Sequence, residues 1–261
     1  MATKTKAKGG LLELVKTIVY ALLLAGAIRT LFFQPFWIPS GSMKPTLLIG
    51  DFLFVNKMAY GYSRHSCPFS LCPFSGRILG SEPERGDVIV FKHPGNGSDY
   101  IKRLIGLPGD TVEIRDGIIA INGEVLPQVP IGAFVEPYEP QGPMQSLPRC
   151  ENRGVSRGGA CIKQEAIEML PEGLEHAVLN IDRSFGDTTP TFIVPDGEYF
   201  FMGDNRDNSM DSRFPRSAGG VGFVPFENLV GRADRVMFSS AGRSMLAFWT
   251  WRPDRFFVRI D

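Results

Sequence analysis

Three features of the sequence predict a mainly β protein, with a single N-terminal transmembrane helix followed by an antiparallel β-sheet domain that carries an inserted second lobe. An apolar run from about Leu11 to Phe33 is long enough to cross a bilayer. Short β-branched and aromatic runs recur beyond it, each opened by a Gly-Asp pair. The 29 Gly and 20 Pro among 261 residues belong to a loop-rich body large enough to bury a core.

The helix comes first. Lys4, Lys6 and Lys8 precede the apolar run, which only Glu13, Lys16 and Arg29 interrupt. As a helix its 23 residues would span about 35 Å. The lysine asymmetry then assigns residues 1–10 to a cytoplasmic tail, 11–33 to the membrane and 34–261 to the outside. Two alternatives compete. Ile18 to Leu24 followed by Ala25-Gly26-Ala27 also fits a cleavable secretory signal, and a buried core helix has a similar pattern. Phe32, Phe33, Phe36 and Trp37 read as an interfacial patch, or simply as the aromatic end of the helix.

The strands follow. Gly50-Asp51 leads into Phe52-Leu53-Phe54-Val55, Gly86-Asp87 into Val88-Ile89-Val90-Phe91, and Gly109-Asp110 into Thr111-Val112-Glu113-Ile114. Asp116-Gly117 between two such runs is a hairpin signal, and Asn122-Gly123 marks the next turn. From about Gln128 to Pro190 the chain is rich in Pro, Gly and Glu and its strand signals weaken, so the insertion is placed at about 112–194. Strong β signal returns at Thr191 to Val194 and Tyr199 to Met202. The C-terminal Phe248-Trp249-Thr250-Trp251 and Phe256-Phe257 are expected to pack on the sheet rather than touch the membrane.

Lys+Arg and Asp+Glu are both 28, so nothing points to nucleic acid as a partner. Cys150 and Cys161 bracket a polar, Gly-rich tip that a disulfide would close, and Cys67 and Cys72 bracket a shorter loop. Free buried thiols are the alternative for both pairs. Neither pair has zinc-ligand spacing, and His65, His93 and His176 are scattered, so no metal site is expected.

Pro39-Ser40-Gly41-Ser42-Met43-Lys44-Pro45 puts two hydroxyls in a rigid loop just beyond the apolar segment. A serine hydroxyl needs a proton acceptor to become a nucleophile. Position 45 is Pro, which excludes a Ser-x-x-Lys motif starting at Ser42, and there is no Gly-x-Ser-x-Gly elbow. Lys102 suits the task. In Tyr100-Ile101-Lys102-Arg103-Leu104 the strand period sets Tyr100, Lys102 and Leu104 on one face, among apolar neighbours. Bringing a lysine from ~10.4 to neutrality takes about three units, roughly 4 kcal/mol, which burial can supply. The bland reading is a strand lysine with its ammonium in water. Lys44 is read as solvated, and His93, in a Lys-His-Pro-Gly turn, as a rival base whose ordinary place is the surface. The polar segment Gly203 to Arg213 fits a calcium loop poorly, because Ser212 and Ala218 replace the turn Gly and closing Glu. If extended, it aligns Ser209, Asp211 and Arg213 on one face.

Three blocks, Pro-Ser-Gly-Ser-Met-x-Pro-Thr-Leu, Tyr-Ile-Lys-Arg-Leu-Ile-Gly-Leu-Pro-Gly-Asp and Gly-Asp-Asn-Arg-Asp-Asn-Ser-Met-Asp-Ser-Arg, occur after an N-terminal anchor. In this order they resemble the bacterial type I signal peptidases. The resemblance implies a Ser/Lys endopeptidase of the bacterial inner membrane that cleaves signal peptides from exported preproteins without a cofactor. It assigns Ser42 as nucleophile, Lys102 as base, and the Ser40 hydroxyl with the Ser42 N–H as oxyanion hole. Ser209 positions Lys102, Asp211 and Arg213 support the site, and Tyr100 and Arg103 flank the base. Implied partners are signal peptides, the lipid bilayer and the protein translocation machinery. A self-cleaving repressor-type Ser/Lys peptidase would carry a DNA-binding domain in place of the anchor, and a catalytically dead scaffold would tolerate loss of Ser42 or Lys102.

Overall fold

A computed structural model describes residues 10–67, 70 and 72–260. Helix α1 (Gly10–Leu31) buries none of its 22 residues, and its length and composition suit a membrane span. It stops at Leu31, short of the expected end at Phe33. Pro35 disfavours helical backbone at Gln34, and the chain leaves the helix as strand β1 (Phe33–Trp37). Phe33, Phe36 and Trp37 are therefore strand residues and not a helix end.

β1 pairs with β2 (Asp51–Asn56), and the segment between them carries Ser42. Strands β3 (Tyr62–Ser63) and β4 (Arg77–Ile78) make a small ribbon, which Arg77 fastens by donating to the carbonyls of Tyr60, Gly61, Phe226 and Leu229. β5 (Val88–Lys92) pairs with β6 (Asp99–Gly106), the strand of Lys102. The chain then leaves the main sheet. β7 (Thr111–Arg115), β8 (Ile118–Ile121) and β9 (Glu124–Val125) form a meander. Its two turns are the expected ones: Asp116 and Gly117 both have positive φ, 48° and 81°, as do Asn122 and Gly123, 54° and 84°. That is the twist a two-residue hairpin loop requires. β10 (Gln128–Pro137), β11 (Ala160–Met169) and β12 (Glu175–Asn180) form a separate three-stranded sheet. β13 (Phe192–Ile193) closes the meander by pairing with β7.

β14 (Glu198–Met202) re-enters the main sheet beside β6, followed by β15 (Val224–Pro225), β16 (Leu229–Ser239) and β17 (Val258–Arg259). The order is β1-β2-β16-β5-β6-β14-β15, with β17 on β16 and every pairing antiparallel. Ile38, Met43, Leu47, Leu53, Val55, Val88 and Val90 make one core cluster; Ile89, Phe91, Leu104 and Phe201 belong to another. Lys102 lies on the β6 face between them in sequence. The C-terminal aromatics divide: Trp251 stacks on Phe238 at 4.6 Å, as expected. Phe248, Trp249, Phe256 and Phe257 are exposed, against the expectation of packing, because the short turns holding them lie off the sheet, although Phe256 still meets the Trp251 ring. Both cysteine pairs are disulfides, Cys67–Cys72 and Cys150–Cys161.

Candidate active site

The loop from Ile38 to Gly50 is closed at its base by Gly50 N donating to Ile38 O and Ile38 N to Asp51 O. Ile38 and Met43 are plugged into the core, so Ser42 between them has little freedom. From the far side the segment after β14 holds the same loop. Asn205 N donates to Ser42 O at 3.0 Å and Asn205 Nδ2 to Gly41 O at 2.8 Å, while Thr46 Oγ1 donates to Asp204 Oδ2 at 2.6 Å. This approach is so close that a Cβ on Gly203 would sit 2.5 Å from Ser42 O and 2.3 Å from Ser209 Oγ. Only glycine fits there.

β6 delivers Lys102 to this loop. Its Nζ lies 2.6 Å from Ser42 Oγ and 3.0 Å from Ile101 O, and both Ser42 and Lys102 are buried. Burial pulls the Lys102 ammonium down to about 8, against the opposing pull of the Asp211 and Asp204 carboxylates. The neutral amine is thus accessible in the neutral to mildly alkaline range. Tyr100 places its ring 5.8 Å from the same Nζ.

One residue on, the pleat turns Arg103 the other way, where its guanidinium grips Asp204 through Nε at 2.9 Å and Nη2 at 2.8 Å and donates to Gly86 O. Burial alone would raise the Asp204 carboxyl, but the charge and hydrogen bonds of Arg103 hold it low. Asp211 accepts from Gly203 N and is paired with Arg213, which likewise holds it low against burial. Arg213 also donates to Arg206 O. Ser209 is buried in the same cluster, but Lys102 makes no hydrogen bond to it; its hydroxyl lies over Gly203 beside the Asp211 carboxylate. Ser40 is exposed at the mouth of the loop. No histidine, cysteine or acidic cluster suited to a metal occurs among the described residues.

Two sequence readings need correction. Lys44 is not solvated: it is buried and donates to Glu136 Oε2 at 2.5 Å and Gln141 Oε1 at 2.7 Å. It turns away from Ser42 toward the inserted lobe, where a carboxylate waits. His93 is not a surface residue either. It is buried, with Nε2 3.1 Å from Gly220 O and Nδ1 accepting from Gly95 N and Asn96 N. With its acceptor nitrogen taken by backbone, it has no lone pair to offer Ser42. Sequence reasoning also missed Thr46 and Asn205, which fix the loop, and Glu136, Glu168 and Lys163. Asn205 sat inside a conspicuous polar run; Glu136 had no local signal at all.

A serine and a desolvated lysine in one buried contact are an arrangement compatible with a serine peptidase, a hydrolase, and comparison with known proteins agrees on that class. The chain belongs to the signal peptidase, peptidase S26 family, whose profile matches residues 11–238. A signal peptidase I of Rickettsia canadensis is 38% identical over 248 residues, covering 91% of this chain and 84% of that one. One from Rickettsia akari is 40% identical over 224 residues, with 85% and 77% covered. The crystal structure of a signal peptidase I from Enterococcus faecalis is 31% identical, covers 58% of this chain and 97% of that one, and superposes with a TM-score of 0.31.

Proposed function

We propose that this protein is a membrane-anchored endopeptidase that removes signal peptides from exported preproteins, with Ser42 as nucleophile and Lys102 as general base. The buried 2.6 Å contact between Ser42 Oγ and Lys102 Nζ carries the reading. Neutral Lys102 takes the hydroxyl proton as Oγ attacks the carbonyl at the cleavage site. The Ser42 N–H and the Ser40 hydroxyl have no protein acceptor among the described residues, and they meet the developing oxyanion. Lys102 then gives its proton to the leaving amine, and afterwards deprotonates the water that frees the acyl group. Asp211 and Arg213 hold the Gly203 backbone against the nucleophile loop, Ser209 fills the space above it, Tyr100 lies beside the base, and Arg103, on the opposite face of β6, braces Asp204.

Topology supports the substrate. The helix would leave residues 1–10 in the cytoplasm and residues 34–261 outside the inner membrane, the insertion at about 112–194 included. Phe33 and Ser42 are nine residues apart, so the connector reaches at most about 30 Å. The serine stays near the outer leaflet, where a translocated signal peptide, handed over by the translocation machinery, presents its cut site. Ile38 and Met43, with Ile101 and Phe36 packed on them, line the neighbourhood of the pair with apolar side chains. Small apolar residues such as Ala at the first and third positions before the cut, bound by strand addition, are what the resemblance to the signal peptidases implies.

Purified full-length protein in detergent should cleave a preprotein at its signal-peptide junction, while Ser42→Ala and Lys102→Ala each abolish cleavage with the fold retained. Their double variant should be scarcely worse than either single one, since both belong to one proton-transfer unit. Substantial cleavage by Lys102→Ala, or equal cleavage of substrates with Phe and Ala just before the cut, would refute the assignment.

A further inference from the structure

Beside Ser42, between the nucleophile loop and the inserted lobe, lies a cavity of about 180 Å³. Ser42, Lys44, Glu136, Arg149, Lys163 and Asn205 are among its lining residues. Its chemistry is the reverse of the apolar cluster around Ile38 and Ile101.

Which half of a substrate enters it follows from the anchor. The hydrophobic part of a signal peptide remains with the bilayer, and α1 reaches the nucleophile loop through β1, whose Phe36 belongs to that apolar cluster. The residues before the cut therefore run along β1 and Ile38. An extended chain crossing Ser42 from there continues toward the inserted lobe, so the cavity receives the residues after the cut.

Two features of the lining have no counterpart inside the protein. Three cationic side chains, Lys44, Lys163 and Arg149, share the cavity with one carboxylate, Glu136. Glu136 is bonded to both lysines, Lys44 at 2.5 Å and Lys163 in a very short contact, and Arg149 donates only to the backbone carbonyl of Asp207. Positive charge is left in excess beside Ser42, where an incoming anion would be attracted. Burial presses the Lys44 ammonium downward, against the raising pull of Glu136, and Lys163 adds a smaller push in the same direction as burial. The second feature is Asn205. Its Nδ2 is spent on Gly41 O, yet its Oδ1 is buried with no hydrogen-bond donor among the described residues. An orphaned acceptor there is a ready partner for a backbone N–H.

We infer that this cavity is the subsite for the leaving side of the substrate: Asn205 Oδ1 accepts a backbone N–H just beyond the cut, and Lys44, Lys163 and Arg149 select an acidic side chain within the first two residues of the released protein. The inference rests on the peptidase reading above and assigns that enzyme a preference on the side of the cut that the signal peptide does not occupy.

The test uses the full chain in detergent micelles with a preprotein series identical except for Asp, Ala or Lys at the first or the second residue after the cut. At low salt, kcat/KM for Asp should exceed that for Lys by about tenfold at one of the two positions, equivalent to about 1.4 kcal/mol. Added salt should shrink the ratio. Arg149→Glu, at an exposed position that tolerates substitution, should bring the ratio to one or invert it, and Lys163→Met should reduce it. An Asp-to-Lys ratio near one at both positions in the unaltered protein overturns the inference while leaving the peptidase reading intact. So does a preference that neither variant changes. Failure to cut the Ala substrates, or cutting that survives Ser42→Ala, would instead bring down the peptidase reading and this inference with it.

Discussion

Replacing Lys102 by Met should make the folded protein more stable near neutral pH and lose that advantage as pH rises. The unfolded chain holds this lysine at 10.5, whereas burial lowers it to about 8 in the fold. Between those two values the unfolded chain binds more protons, so stability climbs with pH through the window and the handicap is complete below about 8. That depression corresponds to about 3 kcal/mol at pH 7 and falls to about 1 kcal/mol at pH 9.5. Met has similar length and no charge. Its cost is the hydrogen bonds from Nζ to Ser42 Oγ and Ile101 O, about 1 kcal/mol in net terms. The variant should therefore gain about 2 kcal/mol at pH 7 and be roughly level at pH 9.5. Urea denaturation of both proteins in the same micelles, followed by tryptophan fluorescence at the two pH values, measures this directly. A variant destabilised equally at both would show that Lys102 is not held near neutrality by burial, and the base assignment would lose its physical footing.

The same lowered value sets the catalytic profile: kcat/KM should rise about tenfold per pH unit below 8 and level off above it, and a profile flat down to pH 6 would point to another base. Arg103→Met leaves the buried Asp204 carboxylate with the Thr46 hydroxyl as its remaining close donor and a distant His176. A loss of about 3–5 kcal/mol is expected in the same denaturation assay, together with weaker cleavage, because Asp204 loses the cation that holds it in place against Thr46 and the nucleophile loop.

The antiparallel architecture was legible because its signals are local. Asp116-Gly117 and Asn122-Gly123 need positive φ, and the alternation in Tyr100 to Ile105 assigns faces without reference to anything distant. The loop of Ser42, braced by Pro and Gly, stood out locally, whereas the strand pattern around Lys102 fits a lysine with its ammonium in water equally well, and it was the resemblance that paired the two residues the structure brings into contact. Lys44 and His93 were misread because their partners are remote. Glu136 is 92 residues from Lys44 and Gly220 is 127 from His93, and no local pattern announces a carboxylate or carbonyl brought in by tertiary folding. The helix end was misplaced because hydrophobicity continues through Phe33 although Pro35 has already committed the backbone to a strand.

Gly203 has a consequence for inhibition. The backbone there presses on the carbonyl of Ser42 so closely that even one methyl group would displace it. A covalent inhibitor seated over this strand end would rest on a wall with no side chain to exchange. An organism under drug pressure could not reshape that wall by a single substitution without also moving the serine it needs, so escape would have to come from elsewhere in the pocket.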